Sequence, residues 1–253
     1  MSLVRRRYPA FSAGVLAVIG LLSARSSLAY WDFLPTPLEW ASWPQYCQAQ
    51  YQWVNNGYYQ EYASRFPTSV VDGWRSRMGA ETFIHLHHYC ASVIYLNRAR
   101  VTAARQDKRA LLQRAYDDAV YTFARADPAG LLYPTIAGTL AEIQAEQGDK
   151  AQAMETLNAS IRAQPDRPQP YLLLAFAERK QGRLDQAKQT LEKATATVGE
   201  DSVELQYNLG LINLELGDVD EAVENAKRAY AKDYPLPGLQ HKLKKLGRWP
   251  PPP

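Results

Sequence analysis

Cysteine is nearly absent from this sequence: Cys47 and Cys90 are the only two, and only four histidines accompany them. A closed zinc site needs four ligands of this kind, so a structural zinc cluster has too little to draw on. There is no Cys-x-x-Cys-His, which excludes covalent haem attachment. A glycine-rich phosphate loop and a nucleophile elbow are missing too, and the acids are scattered along the chain as solvated charges. No catalytic constellation is recognisable, no cofactor is implied, and an enzyme is not expected. Past the first thirty residues there is no run of about 18 apolar residues, the length that crosses a bilayer.

An excess of one charge is also lacking once the N-terminus is set aside. Arg5, Arg6 and Arg7 precede an apolar run from about Ala10 to Leu22, followed by Ser27-Leu28-Ala29. This reads as a secretory signal peptide over residues 1–29. No cysteine lies near the cleavage point to carry a lipid anchor, and Pro9 interrupts the stretch that a twin-arginine leader would need. Removing the leader takes four arginines and no acids, leaving 25 basic against 26 acidic side chains, a net charge of about −1. The basic pI of the whole chain therefore gives no support to a nucleic-acid partner. An exported chain meets an oxidising compartment, so Cys47 and Cys90 are expected to form a disulfide.

What the sequence does contain is a repeat. Gly148, Gly182 and Gly217 fall 34 and 35 residues apart, each followed five residues later by an alanine: Ala153, Ala187 and Ala222. Upstream of each glycine a leucine precedes a small residue, at Leu140-Ala141, Leu174-Ala175 and Leu209-Gly210. A second row of small residues follows at Ser160, Ala194 and Ala229, with Leu157 and Leu191 between the rows. Small side chains on facing helices permit close approach, and a glycine stops the first helix where a left-handed residue is needed. Asp185 and Asp220 are expected to start the second helices, accepting free amide hydrogens and opposing the dipole.

This pattern resembles the tetratricopeptide repeat (TPR) family over about 100 residues. The resemblance implies an all-α fold: a right-handed superhelical array of antiparallel helix pairs. The large aromatic expected early in the first helix is kept at Tyr171 but replaced by Ala137 and Gln206, and the closing proline survives only as Pro165. One step back along the period lies Ala119, with Phe123 and Ala126 at matching offsets. A divergent fourth pair is expected there, its first helix running from Thr82 to about Ala104 and its turn at Arg105-Gln106-Asp107-Lys108. At the other end Leu239, Leu243 and Leu246 recur at helical spacing beside Lys242, Lys244 and Lys245, as a capping helix would require. The expected organisation is a leader (1–29), an aromatic-rich segment (30–81), a divergent pair (82–133), three units (134–167, 168–202 and 203–235), and a capping helix with a proline-rich tail (236–253).

The aromatic segment holds thirteen aromatics between Tyr30 and Trp74, including five of the six tryptophans. Such density needs a place to bury, and Pro35, Pro37, Pro44 and Pro67 divide it into short pieces. Irregular chain and one or two helices packed on the divergent pair are expected. The stretch His85-Leu86-His87-His88-Tyr89-Cys90 is the most suggestive chemically. His85 and His88 share a helix face and are the candidate metal ligands, against the plainer reading of histidines bonded to aromatics and backbone of the preceding segment.

In TPR proteins the first helices line a concave groove. By resemblance the groove positions are Gly138, Thr139, Glu142 and Ala145; Leu172, Leu173, Phe176 and Arg179; and Tyr207, Asn208, Leu211 and Leu214. Leu172, Phe176, Arg179, Tyr207, Asn208 and Leu211 are assigned to partner contact, and Leu173 and Leu214 to packing. Of the side chains by which some members clamp a terminal carboxylate, only Asn208 matches, so chaperone-tail binding is not expected. The expected function is a non-enzymatic scaffold or adaptor in the bacterial periplasm, holding a peptide segment or subunit of a cell-envelope assembly. The alternative is a glycan- or metal-binding role for the aromatic and histidine-rich N-terminal segment.

Overall fold

A computed structural model describes residues 35–55 and 66–249. The proposed leader, the first aromatics of the N-terminal segment, and Pro250 to Pro253 lie outside the described residues. Twelve helices and no strand occur among them. Four antiparallel pairs follow one another: α4 (Ala80–Val101) with α5 (Arg105–Phe123), α6 (Tyr133–Gln147) with α7 (Lys150–Ala163), α8 (Pro168–Lys180) with α9 (Leu184–Val198), and α10 (Val203–Leu216) with α11 (Val219–Tyr230). Each pair packs on the next, and the first helices α4, α6, α8 and α10 also touch in succession. This is the layering of a TPR solenoid.

The glycine register has a geometric meaning. Gly148, Gly182 and Gly217 have φ of 100°, 75° and 92°, a region costly for any residue with a Cβ. Each sits in the same double hydrogen-bonded helix end: Gly148 N–H donates to the Ala145 carbonyl and Asp149 N–H to that of Gln144. Gly182 with Arg183, and Gly217 with Asp218, repeat this pairing. The second helices start immediately afterwards, and Ala153, Ala187 and Ala222 are each their fourth residue and are buried. Ser160, Ala194, Ala229, Leu157 and Leu191 are also buried, as the close-approach argument requires.

A polar rung recurs in the same register. Thr156 Oγ1 donates to Gln144 Oε1 at 2.9 Å, Thr190 Oγ1 to Glu178 Oε2 at 2.8 Å, and Asn213 Nδ2 to Asn225 Oδ1 at 2.9 Å. Each rung joins the two helices of one pair through residues twelve apart. Glu178 is the only ionisable member of these three rungs, and burial pushes its carboxyl above the usual range while the Thr190 hydrogen bond opposes the shift.

Three sequence expectations need correction. The α4–α5 connection is Thr102–Ala104, and Arg105 to Lys108 already form the first turn of α5. That connection has no glycine, so nothing in the sequence punctuates it. Ala119 is consequently the fifteenth residue of α5 rather than the fourth, although Ala119 and Ala126 are buried. Asp185 and Asp220 lie in the first turns of α9 and α11, where they oppose the dipole, but neither caps by its side chain. Asp149 does so instead, accepting from Gln152 N–H at 3.0 Å.

The described part of the N-terminal segment forms α1 (Pro37–Ser42), α2 (Gln45–Asn55) and α3 (Thr68–Met78). Trp40, Trp43 and Tyr51 are buried with ring centroids 5.4–5.8 Å apart. Polar and covalent links tie this module to α4, beside ring contacts of Trp53 with Phe83 and Tyr46 with Tyr89. Cys47 and Cys90 form a disulfide with a Cα–Cα distance of 5.7 Å. Trp43 Nε1 donates to the Cys90 carbonyl at 3.2 Å. Arg98 grips Glu39 with two hydrogen bonds of 2.6 and 2.8 Å, which holds that carboxyl below its ordinary pKa.

At the C-terminus α12 (Gly238–Lys245) buries Leu239 and Leu243 against α10 and α11 with its lysines outward. Leu246, expected on the same stripe, falls just past the helix end and is exposed.

Candidate functional site

Residues of α6, α7 and α8, with Arg100 of α4, line an open groove of about 670 Å³. Its floor is built from small and aliphatic side chains, Gly138, Ala141, Ala145, Ala153, Leu157 and Ala177. Leu173 lies over Gly138, its Cδ1 2.8 Å from where a Cβ would stand, and so joins neighbouring repeats while also lining the groove. Phe176 stands on the groove wall with half its surface exposed, and the Lys180 ammonium lies 4.7 Å from its ring centroid.

The groove's acids are engaged from within. Arg100 reaches Glu142 at 2.5 Å and Glu146 at 2.7 Å, and Lys108 approaches Glu146 at 3.6 Å. Burial works against the Arg100 charge, but the Glu146 and Glu142 contacts outweigh it and raise its pKa above the ordinary guanidinium value. Thr139 Oγ1 contacts Tyr89 Oη at 3.4 Å, and the Tyr89 ring lies 6.4 Å from that of Tyr46 on α2. The N-terminal module thus supports one wall of the groove.

The six residues assigned to partner contact do not share one surface. Phe176 faces the open groove. Leu172 is half-buried against the core of the central repeats. Arg179 is held in a two-pronged ion pair by Glu215 of α10 and does not line the groove. Tyr207 is only 7 % exposed, its ring tilted against that of Tyr234 at 4.7 Å within the cluster that includes Leu239 and Leu243. Leu211 and Leu214 pack on that same cluster. Asn208 donates to the Glu204 carbonyl of its own helix at 2.8 Å. The reason is physical: α12 lies on α10, so Tyr207, Leu211 and Leu214 of the third unit are packed against the chain itself. Arg100, Glu146, Lys150 and Lys180, which do line the open part, were not among the expected contacts. Arg100 lies in the pair whose register the period does not fix.

The histidine stretch is on α4. His88 Nδ1 lies 2.5 Å from Asp118 Oδ1 and His85 Nδ1 lies 3.3 Å from Tyr121 Oη, so these partners come from the following helix α5 rather than from the preceding segment. His85 Nε2 also meets Glu81 at 3.2 Å. His87 turns its Nδ1 to the Ile84 carbonyl at 2.8 Å, and burial, helped by the His88 charge, lowers its pKa to about 4. Among the described residues no group of three or more histidine, cysteine or acidic side chains is gathered to hold a metal ion, and His85 and His88 have no third ligand. Nor do the tryptophans form an open stacking platform. Trp40 and Trp43 are buried, Arg77 covers Trp74 at 3.9 Å, and Arg75 lies 5.7 Å from the ring of Trp53, which is 39 % exposed. Trp31 lies outside the described residues.

Two tetratricopeptide repeat sequence models match, one over residues 110–175 and the other over residues 172–236, together about half of the chain. Similar solved structures include a thermophilic TPR protein of Thermus thermophilus, 18 % identical over 67 % of this chain and 95 % of that one, with a TM-score of 0.43. A double mutant of MamA from RS-1 is 12 % identical over 83 % of this chain and 98 % of its own, with a TM-score of 0.44. A further MamA crystal structure is 17 % identical, covering 63 % and 92 % of the two chains, with a TM-score of 0.39. No curated protein matches the sequence. Two successive matches to the repeat, falling on helix pairs whose glycines, small residues and polar rungs share one register, make this chain a member of the tetratricopeptide repeat family, a helical scaffold for protein–protein interaction.

Proposed function

We propose that the protein is a non-enzymatic adaptor, exported to the bacterial periplasm, that holds an apolar segment of a cell-envelope protein in the groove lined by α6, α7 and α8. The observation that carries this reading is Phe176, a large aromatic left half-exposed over an alanine- and leucine-lined floor. A lone exposed aromatic would mean little, but Phe176 is continuous with that floor, and a contiguous apolar groove suits an extended or helical segment of a partner. The leader-like N-terminus and the buried disulfide support export.

The test is capture from envelope extracts of the native host by immobilised wild-type protein and by Phe176→Ala. The variant should lose the wild-type partner while its far-UV circular dichroism is unchanged, because Phe176 contributes little to the core. Equal capture by both proteins would sink the groove assignment. Cleavage after Ala29, read by N-terminal sequencing of the exported protein, is expected; an intact N-terminus in the cytoplasmic fraction would refute the location.

A further inference from the structure

The charges around the groove are not balanced. Five charged side chains line it: Arg100, Lys150 and Lys180 against Glu142 and Glu146. Arg100 engages both carboxylates, at 2.5 and 2.7 Å, and Lys108 adds a further cation at 3.6 Å from Glu146. No described carboxylate forms an ion pair with Lys150 or Lys180, which are both exposed. Lys150 is the first residue of α7, next to Asp149, whose carboxylate caps that helix by accepting from Gln152 N–H and makes no ion pair with the lysine. Lys180 sits beside the Phe176 ring, so a carboxylate near it would lie next to the apolar contact.

Resting on the groove assignment above, we infer that the groove selects an acidic apolar segment: a protein partner in which a large apolar residue seats against Phe176 while flanking aspartate or glutamate side chains meet Lys150 and Lys180. The segment is short. α6 is 15 residues long, roughly 22 Å at about 1.5 Å per residue, and an extended chain of about seven residues spans that distance. Basic segments are rejected, because the groove's two carboxylates are already engaged and the free charge at its edge is positive.

The experiment pans a random twelve-residue display library against the purified, oxidised protein. The wild type should enrich sequences with one large apolar residue flanked by Asp or Glu. A synthetic peptide of that type should bind roughly tenfold more tightly than its Lys-flanked counterpart at low salt, with the preference shrinking at high ionic strength. Lys150→Glu/Lys180→Glu should reverse the preference towards basic flanks, and Phe176→Ala should remove binding of either class. Enrichment of neutral or basic sequences, lost in Phe176→Ala, would overturn the charge preference while leaving the groove in place. Enrichment untouched by both variants, or none at all, would overturn both. Concentration-dependent self-association that Phe176→Ala abolishes would replace the acidic partner by a second copy of the chain.

Discussion

Removing the Cys47–Cys90 bridge should loosen one end of the molecule without melting the other. The bridge closes a loop with a sequence separation of 43, for which the chain-entropy relation gives about 4 kcal/mol. It joins α2 to α4, where the remaining ties are non-covalent, among them the Arg98–Glu39 pair, the Trp43 and Gln50 hydrogen bonds and the ring contacts of Trp53 and Tyr46. The helix pairs from α6 onward contact only their neighbours and have no covalent dependence on it. In Cys47→Ala/Cys90→Ala the N-terminal module should therefore unfold first. Tryptophan fluorescence reads that module, since Trp40, Trp43, Trp53 and Trp74 lie in it and only Trp249 among the described tryptophans lies at the far end. Far-UV circular dichroism is dominated by the repeats. At a urea slope of about 2 kcal/mol per molar, the fluorescence midpoint should fall by about 2 M, and the dichroism midpoint by much less. Coincident transitions in the variant, or a fluorescence midpoint that does not move, would refute the reasoning.

Tyr207→Ala should cost about 3 kcal/mol, measured by chemical denaturation, because the ring is buried under α12; an unchanged midpoint would put Tyr207 back in the groove. His87 has a folded pKa lowered to about 4, so the native state takes up its proton later than the unfolded chain does. Stability should fall as pH drops from about 6.5 to 4, by on the order of 3 kcal/mol from this residue, and His87→Gln should flatten that limb in urea melts at stepped pH. Glu178 has the opposite sign: its raised pKa penalises the folded state above that value, and the penalty fades as the carboxyl protonates on acidification. Glu178→Gln, which copies the amide at Gln144 and keeps the Thr190 hydrogen bond, should leave the neutral-pH urea midpoint unchanged or raise it; a loss would show that the charge is needed.

The repeat was legible because its signals are local. A glycine that must take a positive φ and an alanine that must touch a facing helix are fixed by neighbours a few residues away, and Gly148, Gly182, Gly217, Ala153, Ala187 and Ala222 all fell where the spacing put them. The disulfide is expected from an even cysteine count and a leader-like N-terminus. What the sequence concealed depends on segments remote from the residue in question. Tyr207 occupies a groove position by register, yet it is covered by α12, more than thirty residues downstream. His88 finds Asp118 thirty residues on. The α4–α5 turn lacks glycine, so neither the start of α5 nor the place of Arg100 beside the groove could be read from the period.

The covering of α10 by α12, with the N-terminal module braced against α4, bears on how such a chain can change. Both terminal surfaces of the helix stack are already closed by dedicated segments, whereas the connection between Val198 and Val203 presents only the standard repeat interface on either side. A further unit of about 34 residues inserted at that connection would meet surfaces it is shaped to fit, and would lengthen the array without exposing the buried leucines of α12 or the tryptophans of the module. Growth by duplication is open in the middle of this protein and obstructed at its ends.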